Sequence, residues 1–232
     1  MADHLFAGIK AFFKGERAPS PGLHHYLQET PESKTRIHLR LDPDGHGTLI
    51  VNANQVLHLN PTAAYIPYLS LEETPVHEAV RALTRRYHVP HDQAREDYRR
   101  LAEELAFMFQ SEACPACALP DIEIESPFSM HPRAPYRMDL ALTYRCNNDC
   151  HHCYNVQGRE LEEITTAQWQ DIIDKLWALS IPHVVFTGGE PTLREDLPEL
   201  VAYAEQKGQI TGLNTNARRL SDPAYVDGLL KS

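Results

Sequence analysis

The chain has 232 residues, enough for one large domain or two ordinary ones, and 42% of them are hydrophobic, so it can bury a core. Lys and Arg number 22 against 32 Asp and Glu, a formal charge of −10; with no block of Lys/Arg, this argues against a phosphate backbone as the main partner. No apolar run approaches the roughly 18–20 residues of a membrane helix. The first residues lack the basic and apolar regions of a secretion signal. Five cysteines in short spacings suit metal in a reducing compartment better than a disulfide framework, so the expected location is cytoplasmic.

From the start of the chain, Leu5, Ile9 and Phe12 predict a short amphipathic helix that Gly15 stops, and residues 16–33, with three prolines, read as linker. Ile37, Leu39 and Leu41 alternate with His38 and Arg40, which predicts a half-buried strand. The run DPDGHG follows as a turn, and TLIVNA and QVLHLN supply two more strands. Asn60-Pro61 marks a helix start. Helices are predicted over 61–69, 75–87 and 91–109, the last two carrying the stripes Val76, Ala79, Val80, Leu83 and Tyr98, Leu101, Leu105, Phe109. The first domain is thus a β3α3 unit over 34–110. Proline-rich residues 111–136 form a connector that contains Cys114 and Cys117.

Residues 137–232 alternate strand and helix. MDLALTY is a strand; Thr165 and Gln168 form a capping box for a helix that places Trp169, Ile172, Ile173 and Leu176 on one face. HVVFT is the second strand, DLPELVAYAEQKG a helix closed by Gly208, ITGLNTN the third strand, and DPAYVDGLLKS opens a third helix. Repeated βα units of this length imply a parallel sheet.

Two motifs sit where those strands end. Cys146, Cys150 and Cys153 follow the first strand as CxxxCxxC; three closely spaced thiolates can hold an iron–sulfur cube with one iron left open, or a zinc ion completed by His151 or His152. Gly188-Gly189-Glu190-Pro191 ends the second strand on the same rim, with a carboxylate able to accept from an ammonium group.

CNNDCHHCYN and, thirty-odd residues on, TGGEPTL resemble the two leading signatures of the radical S-adenosylmethionine (radical SAM) superfamily. The resemblance implies an enzyme in which Cys146, Cys150 and Cys153 bind a 4Fe–4S cluster whose open iron chelates S-adenosylmethionine. Gly188, Gly189, Glu190 and Pro191 would hold that cofactor's amino end. His152 stands where the family usually has an aromatic residue near the adenine, with Tyr154 just after it, and Thr215-Asn216 is similar to a family TN pair. In the family an electron from the cluster cleaves the sulfonium, and the resulting 5′-deoxyadenosyl radical takes hydrogen from the substrate.

Over residues 34–110, RIHLRLDPDG, VLHLNPTAAYI and the three-helix tail resemble the peptide-chaperone domain of pyrroloquinoline quinone biosynthesis, or RiPP recognition element. That resemblance implies a leader-peptide groove between Gln55–Leu59 and the helix 91–109. The expected fold is α/β: the first half, about three βα units, of a partial TIM-type radical SAM barrel, preceded by a small β3α3 winged-helix-like domain. About 95 residues from Met138 to Ser232, at roughly 30 per unit, lead to the expectation that a longer enzyme continues past this chain. The expected partners are a precursor peptide and a one-electron reductant, with no nucleic acid and no membrane. Cys114 and Cys117 are expected to contribute to an auxiliary cluster or zinc, or to stand as two surface thiols. Two rival functions stay open: a non-catalytic leader-peptide adaptor, and a radical SAM enzyme acting on a small molecule in cofactor biosynthesis.

Overall fold

A computed structural model describes residues 19–29, 34–110, 132–155 and 161–231. The chain divides into two compact units, Met1–Glu125 and Ser126–Ser232, each described by itself. The predicted helix near residues 4–14 lies outside the described residues.

The first unit is an antiparallel meander followed by helices. Its strands β1 (Gly22–Glu29), β2 (Lys34–Leu41), β3 (Gly47–Val51) and β4 (Gln55–Leu59) lie in chain order across one sheet, and α1 (Pro61–Leu71), α2 (Val76–Tyr87) and α3 (His91–Gln110) follow. The sheet therefore has four strands, not three: residues read as linker form β1, which pairs with β2 from Gly22↔Leu41 to Glu29↔Lys34. β1 has no wholly apolar side for a period-two reading to find. Its inward residues are His24 and Tyr26; the Tyr26 hydroxyl donates to Glu72 at 2.8 Å and the His24 ring meets Tyr68 edge-on at 5.1 Å.

A second difference concerns β2. Ile37, Leu39 and Leu41 enter the helix-side core with Leu49, Val51, Leu57, Ala64, Leu105, Met108 and Phe109. The opposite side, expected to face water, is buried too: His38 is 0% and Arg40 3% exposed. His38 stacks on His25 of β1 at 4.9 Å, and Arg40 donates to Thr48 of β3 at 3.4 Å. A buried guanidinium and imidazole are tolerated because neighbouring strands bring polar partners to them. Local signals elsewhere hold: the Asn60 side chain accepts from Ala63 N at 2.9 Å and starts α1. In α2, Ala79, Val80 and Leu83 are buried, while Val76 is half-exposed.

The second unit carries a parallel sheet in the order β5 (Arg137–Thr143), β6 (His183–Gly188), β7 (Ile210–Leu213), with α4 (Thr166–Ala178), α5 (Leu197–Lys207) and α6 (Pro223–Leu230) after the successive strands. The Thr165–Gln168 capping box is present, and Gly208, with φ +98°, closes α5 as only an unhindered residue does readily. Phe186, Val184, Leu140 and Leu142 of the sheet pack with Trp169, Ile173 and Leu176 of α4 and Leu197, Leu200 and Ala204 of α5. Among the described residues, no helix is long and apolar enough to cross a membrane.

Both tryptophans of the chain, Trp169 and Trp177, lie on α4, so their fluorescence follows the second unit. Thr165→Ala, which removes the cap, is expected to destabilise that unit by about 1 kcal/mol in urea unfolding read at the tryptophans.

Candidate functional site

The carboxyl ends of β5, β6 and β7 are held together by backbone contacts that two glycines permit. Gly188 has φ +138°, and a Cβ there would collide with the Thr143 carbonyl; a Cβ on Gly189 would collide with the carbonyls of Arg145 and Tyr144. With no side chains in the way, Gly189 N donates to Thr143 O at 2.7 Å and Glu190 N to Arg145 O at 2.8 Å. Residues 143–145 are the stalk that carries Cys146. The glycine pair thus fixes where the cysteine loop begins.

Glu190 is fully buried. Its Oε1 accepts from Thr192 N at 3.0 Å, Thr192 Oγ1 at 2.6 Å and Thr215 Oγ1 at 2.7 Å, and its Oε2 from Asn216 N at 2.7 Å. Burial pushes this carboxyl up, but the donors of Thr192, Asn216 and Thr215 outweigh it and hold the group below the usual carboxylate range. The carboxylate ties the end of β6 to the residues after β7. Asn216 extends the tie, its Nδ2 donating to Asn147 Oδ1 at 2.7 Å, one residue past Cys146.

A second network grips the stalk through side chains. Glu163 accepts from the Thr143 hydroxyl, from Arg145 Nε at 2.8 Å and Nη2 at 3.1 Å, and from Arg194 Nη1 at 3.3 Å. Arg145, ahead of the burial cost and with Thr143, holds the Glu163 carboxyl below its ordinary range. Arg194, 7% exposed, also reaches Leu142 O and Ile164 O and makes a two-pronged pair with Asp196 at 2.9 and 2.6 Å. Asp196 in turn accepts from Thr166 Oγ1 at 2.6 Å. Burial raises the Asp196 carboxyl, and Arg194 and Thr166 bring it down further than burial lifts it.

Of the residues named from sequence, Gly188, Gly189, Glu190, Pro191, Thr215 and Asn216 gather at this rim with Cys146. Pro191 is buried and opens a short 3-10 turn, Pro191–Leu193. Cys146 and Cys153 are partly exposed, Cys150 is exposed, and all three thiols are free. His152 and Tyr154 point to solvent, Tyr154 with 91% of its surface exposed. Cys114 and Cys117 lie outside the described residues. Among the described residues no three His, Cys, Asp or Glu side chains gather at single-ion distance. Three free, accessible thiols on one loop suit a cluster that gives each cysteine its own iron.

Sequence reasoning missed Arg145, Asn147, Glu163, Arg194 and Asp196. Glu163 ends the run ELEE, which reads as solvated charge, and Asn147 reads as a loop residue. Arg194 and Asp196 pair with each other two residues apart, but the ties of Arg145, Asn147 and Glu163 reach 18 to 69 positions away, where no local pattern marks them.

With the geometry described, comparison with known proteins can be set beside it. The family model for the Radical SAM superfamily matches residues 140–232, and that for Coenzyme PQQ synthesis protein D (PqqD) matches residues 38–106. The chain is 45% identical over 78 residues to an Fe-coproporphyrin III synthase of Methanosarcina barkeri, covering 32% of this chain and 19% of that protein. It is 42% identical over 89 residues to the mycofactocin maturase MftC of Mycobacterium ulcerans, covering 38% of this chain and 24% of the other. The crystal structure of Streptococcus suis SuiB bound to its precursor peptide SuiA resembles it with a TM-score of 0.52 at 19% identity, over 90% of this chain and 46% of SuiB. At that identity the likeness is one of α/β fold alone; the partial radical SAM domain rests on the family match over residues 140–232. The aligned stretches span under half of each of these proteins.

Two outcomes follow from the rim. Gly189→Ala is expected to destabilise the second unit by about 2–3 kcal/mol or more, because backbone carbonyls on both sides must shift; tryptophan-monitored urea unfolding reads the loss. Glu163, Glu190 and Asp196 stay ionised to lower pH in the folded unit than in the unfolded chain. Their stabilisation is full above the ordinary carboxylate range, near pH 4, and is lost as pH falls through the depressed folded values. Urea midpoints across an acid series should drop there, and less steeply for Glu163→Gln.

Proposed function

From a chain whose residues 140–232 belong to the radical SAM superfamily and residues 38–106 to the PqqD family, we propose a radical SAM peptide maturase that reads its precursor through the first unit. The observation that carries this is one chain holding both a cysteine loop on a parallel-sheet rim and a small antiparallel sheet with an open edge.

In the second unit, Cys146, Cys150 and Cys153 hold a 4Fe–4S cluster, and Gly188, Gly189, Glu190 and Pro191 line the amino end of S-adenosylmethionine. When bound, cluster and cofactor supply a 5′-deoxyadenosyl radical for hydrogen abstraction. Among the described residues Glu190 Oε2 accepts one hydrogen bond, from Asn216 N, which leaves it acceptor capacity for an ammonium group. His152 and Tyr154 stand free on the loop to approach an adenine, and Asn216 borders the same rim. A one-electron reductant is required. Cys114 and Cys117 are candidates for an auxiliary cluster or zinc: iron beyond about four per chain would support the cluster, and near four leaves them with zinc or no metal. Closely spaced thiols and oxygen-sensitive chemistry support a cytoplasmic location.

In the first unit, β4 pairs with β3 on one side only, so its outer backbone groups can take a leader peptide as a further strand. α1 packs against β4, while α3 packs on β2 and α1. The groove expected between Gln55–Leu59 and the helix 91–109 would receive that strand at β4's outer edge. Hydrogen–deuterium exchange with a precursor peptide encoded beside the gene should show protection concentrated over Gln55–Leu59. Binding without protection there contradicts the edge-strand mode.

One observation favours a small-molecule substrate instead: the 45% identity to a protein named Fe-coproporphyrin III synthase exceeds the 42% to the maturase. Calorimetric titration with the precursor peptide separates the two, because only the maturase reading expects heat of binding. Anaerobic reconstitution is expected to give near four irons per chain, and Cys146→Ala to abolish the cluster.

A further inference from the structure

Cys146 is gripped on both sides. On the chain's inward side, the Glu163 carboxylate takes the Thr143 hydroxyl and both prongs of Arg145, the residue before Cys146. On its outward side, Asn147 accepts from Asn216, and Asn148 N donates to the Cys146 sulfur itself at 3.4 Å. Cys150 and Cys153 are tied to each other by a turn, Cys153 N to Cys150 O at 3.0 Å.

A half-exposed ion pair alone contributes little. This one differs because Glu163 also meets Arg194, which is buried and bound to Leu142 O, Ile164 O and Asp196. The carboxylate is thereby anchored to the chain just before α4 and to the turn before α5. A side chain whose rotamer is set from three directions transmits that setting to whatever it holds.

We infer that Glu163 is a positioning residue: through Thr143 and Arg145 it presets the Cys146 thiol before iron arrives. This rests on the reading of the three cysteines as cluster ligands. It adds a role for a residue outside both motifs.

The test uses the full chain, kept anaerobic and metal-free, with competitive alkylation by light and heavy iodoacetamide resolved at each thiol. Glu163→Ala is expected to raise Cys146 alkylation about fivefold while Cys150 and Cys153 change little, since access and local field govern thiol reactivity. Glu163→Gln, which keeps an acceptor oxygen, is expected to show about a twofold rise, and decides the matter if the alanine variant does not fold. Glu162→Ala, an exposed neighbour, leaves all three rates unchanged. After reconstitution with ferrous iron and sulfide, Glu163→Ala should lose iron to bathophenanthroline about tenfold faster. Cys146 rates equal to wild type in both Glu163 variants overturn the proposal, as does a uniform rise at all three thiols, which marks general loosening. Failure of the wild-type chain to take up iron overturns the cluster reading instead, and the Cys146 ratio still decides the positioning role.

Discussion

The rim of the parallel sheet exists in this form because Gly188 and Gly189 have no side chains. Their backbone lies so close to residues 143–145 that any Cβ would strike a carbonyl oxygen. That approach is what lets Gly189 N and Glu190 N bind Thr143 O and Arg145 O. From it follow the height at which the cysteine loop leaves β5, the burial of Glu190 and the reach of Glu190 to Thr215 and Asn216. The glycines thus serve two ends with one property: they close the scaffold on one side and leave the rim open on the other.

The carboxylates at this rim act mainly as ties. Glu190 is saturated on one oxygen by protein donors, and Glu163 takes four donor groups of Thr143, Arg145 and Arg194, from two separate stretches of chain. Each is ionised and hydrogen-bonded, the condition under which a buried or half-buried carboxylate stabilises rather than strains a fold. In the first unit the same logic explains β2, where His38 and Arg40 are buried opposite an apolar face because β1 and β3 carry His25 and Thr48 to them. Among the described residues β1 and β4 are the two edge strands of that sheet.

What could be read from sequence was local or motif-borne. The capping box at Thr165, the Asn60 cap, the Gly208 terminus and the strand–helix alternation after Arg137 all depend on neighbours within a few residues, and all are present. The two motifs, read as ending successive strands, meet at one rim of the parallel sheet. Hidden from that reading were features whose partners are remote: β1, whose His24 and Tyr26 find their contacts on α1 and just past its end; buried Arg40; and the Glu163–Arg145–Arg194 network. A charged or aromatic residue looks the same in sequence whether water or a distant carboxylate satisfies it.

On the proposed reading, Cys146, Cys150 and Cys153 would hold a 4Fe–4S cluster beside an S-adenosylmethionine site at Gly188–Glu190. Electron paramagnetic resonance of the reconstituted, dithionite-reduced full chain tests it most directly. The account predicts a reduced 4Fe–4S signal whose spectrum changes on adding S-adenosylmethionine and that is lost when the three cysteines are replaced by alanine. A signal that persists without those cysteines, or that S-adenosylmethionine leaves unaltered, would contradict it.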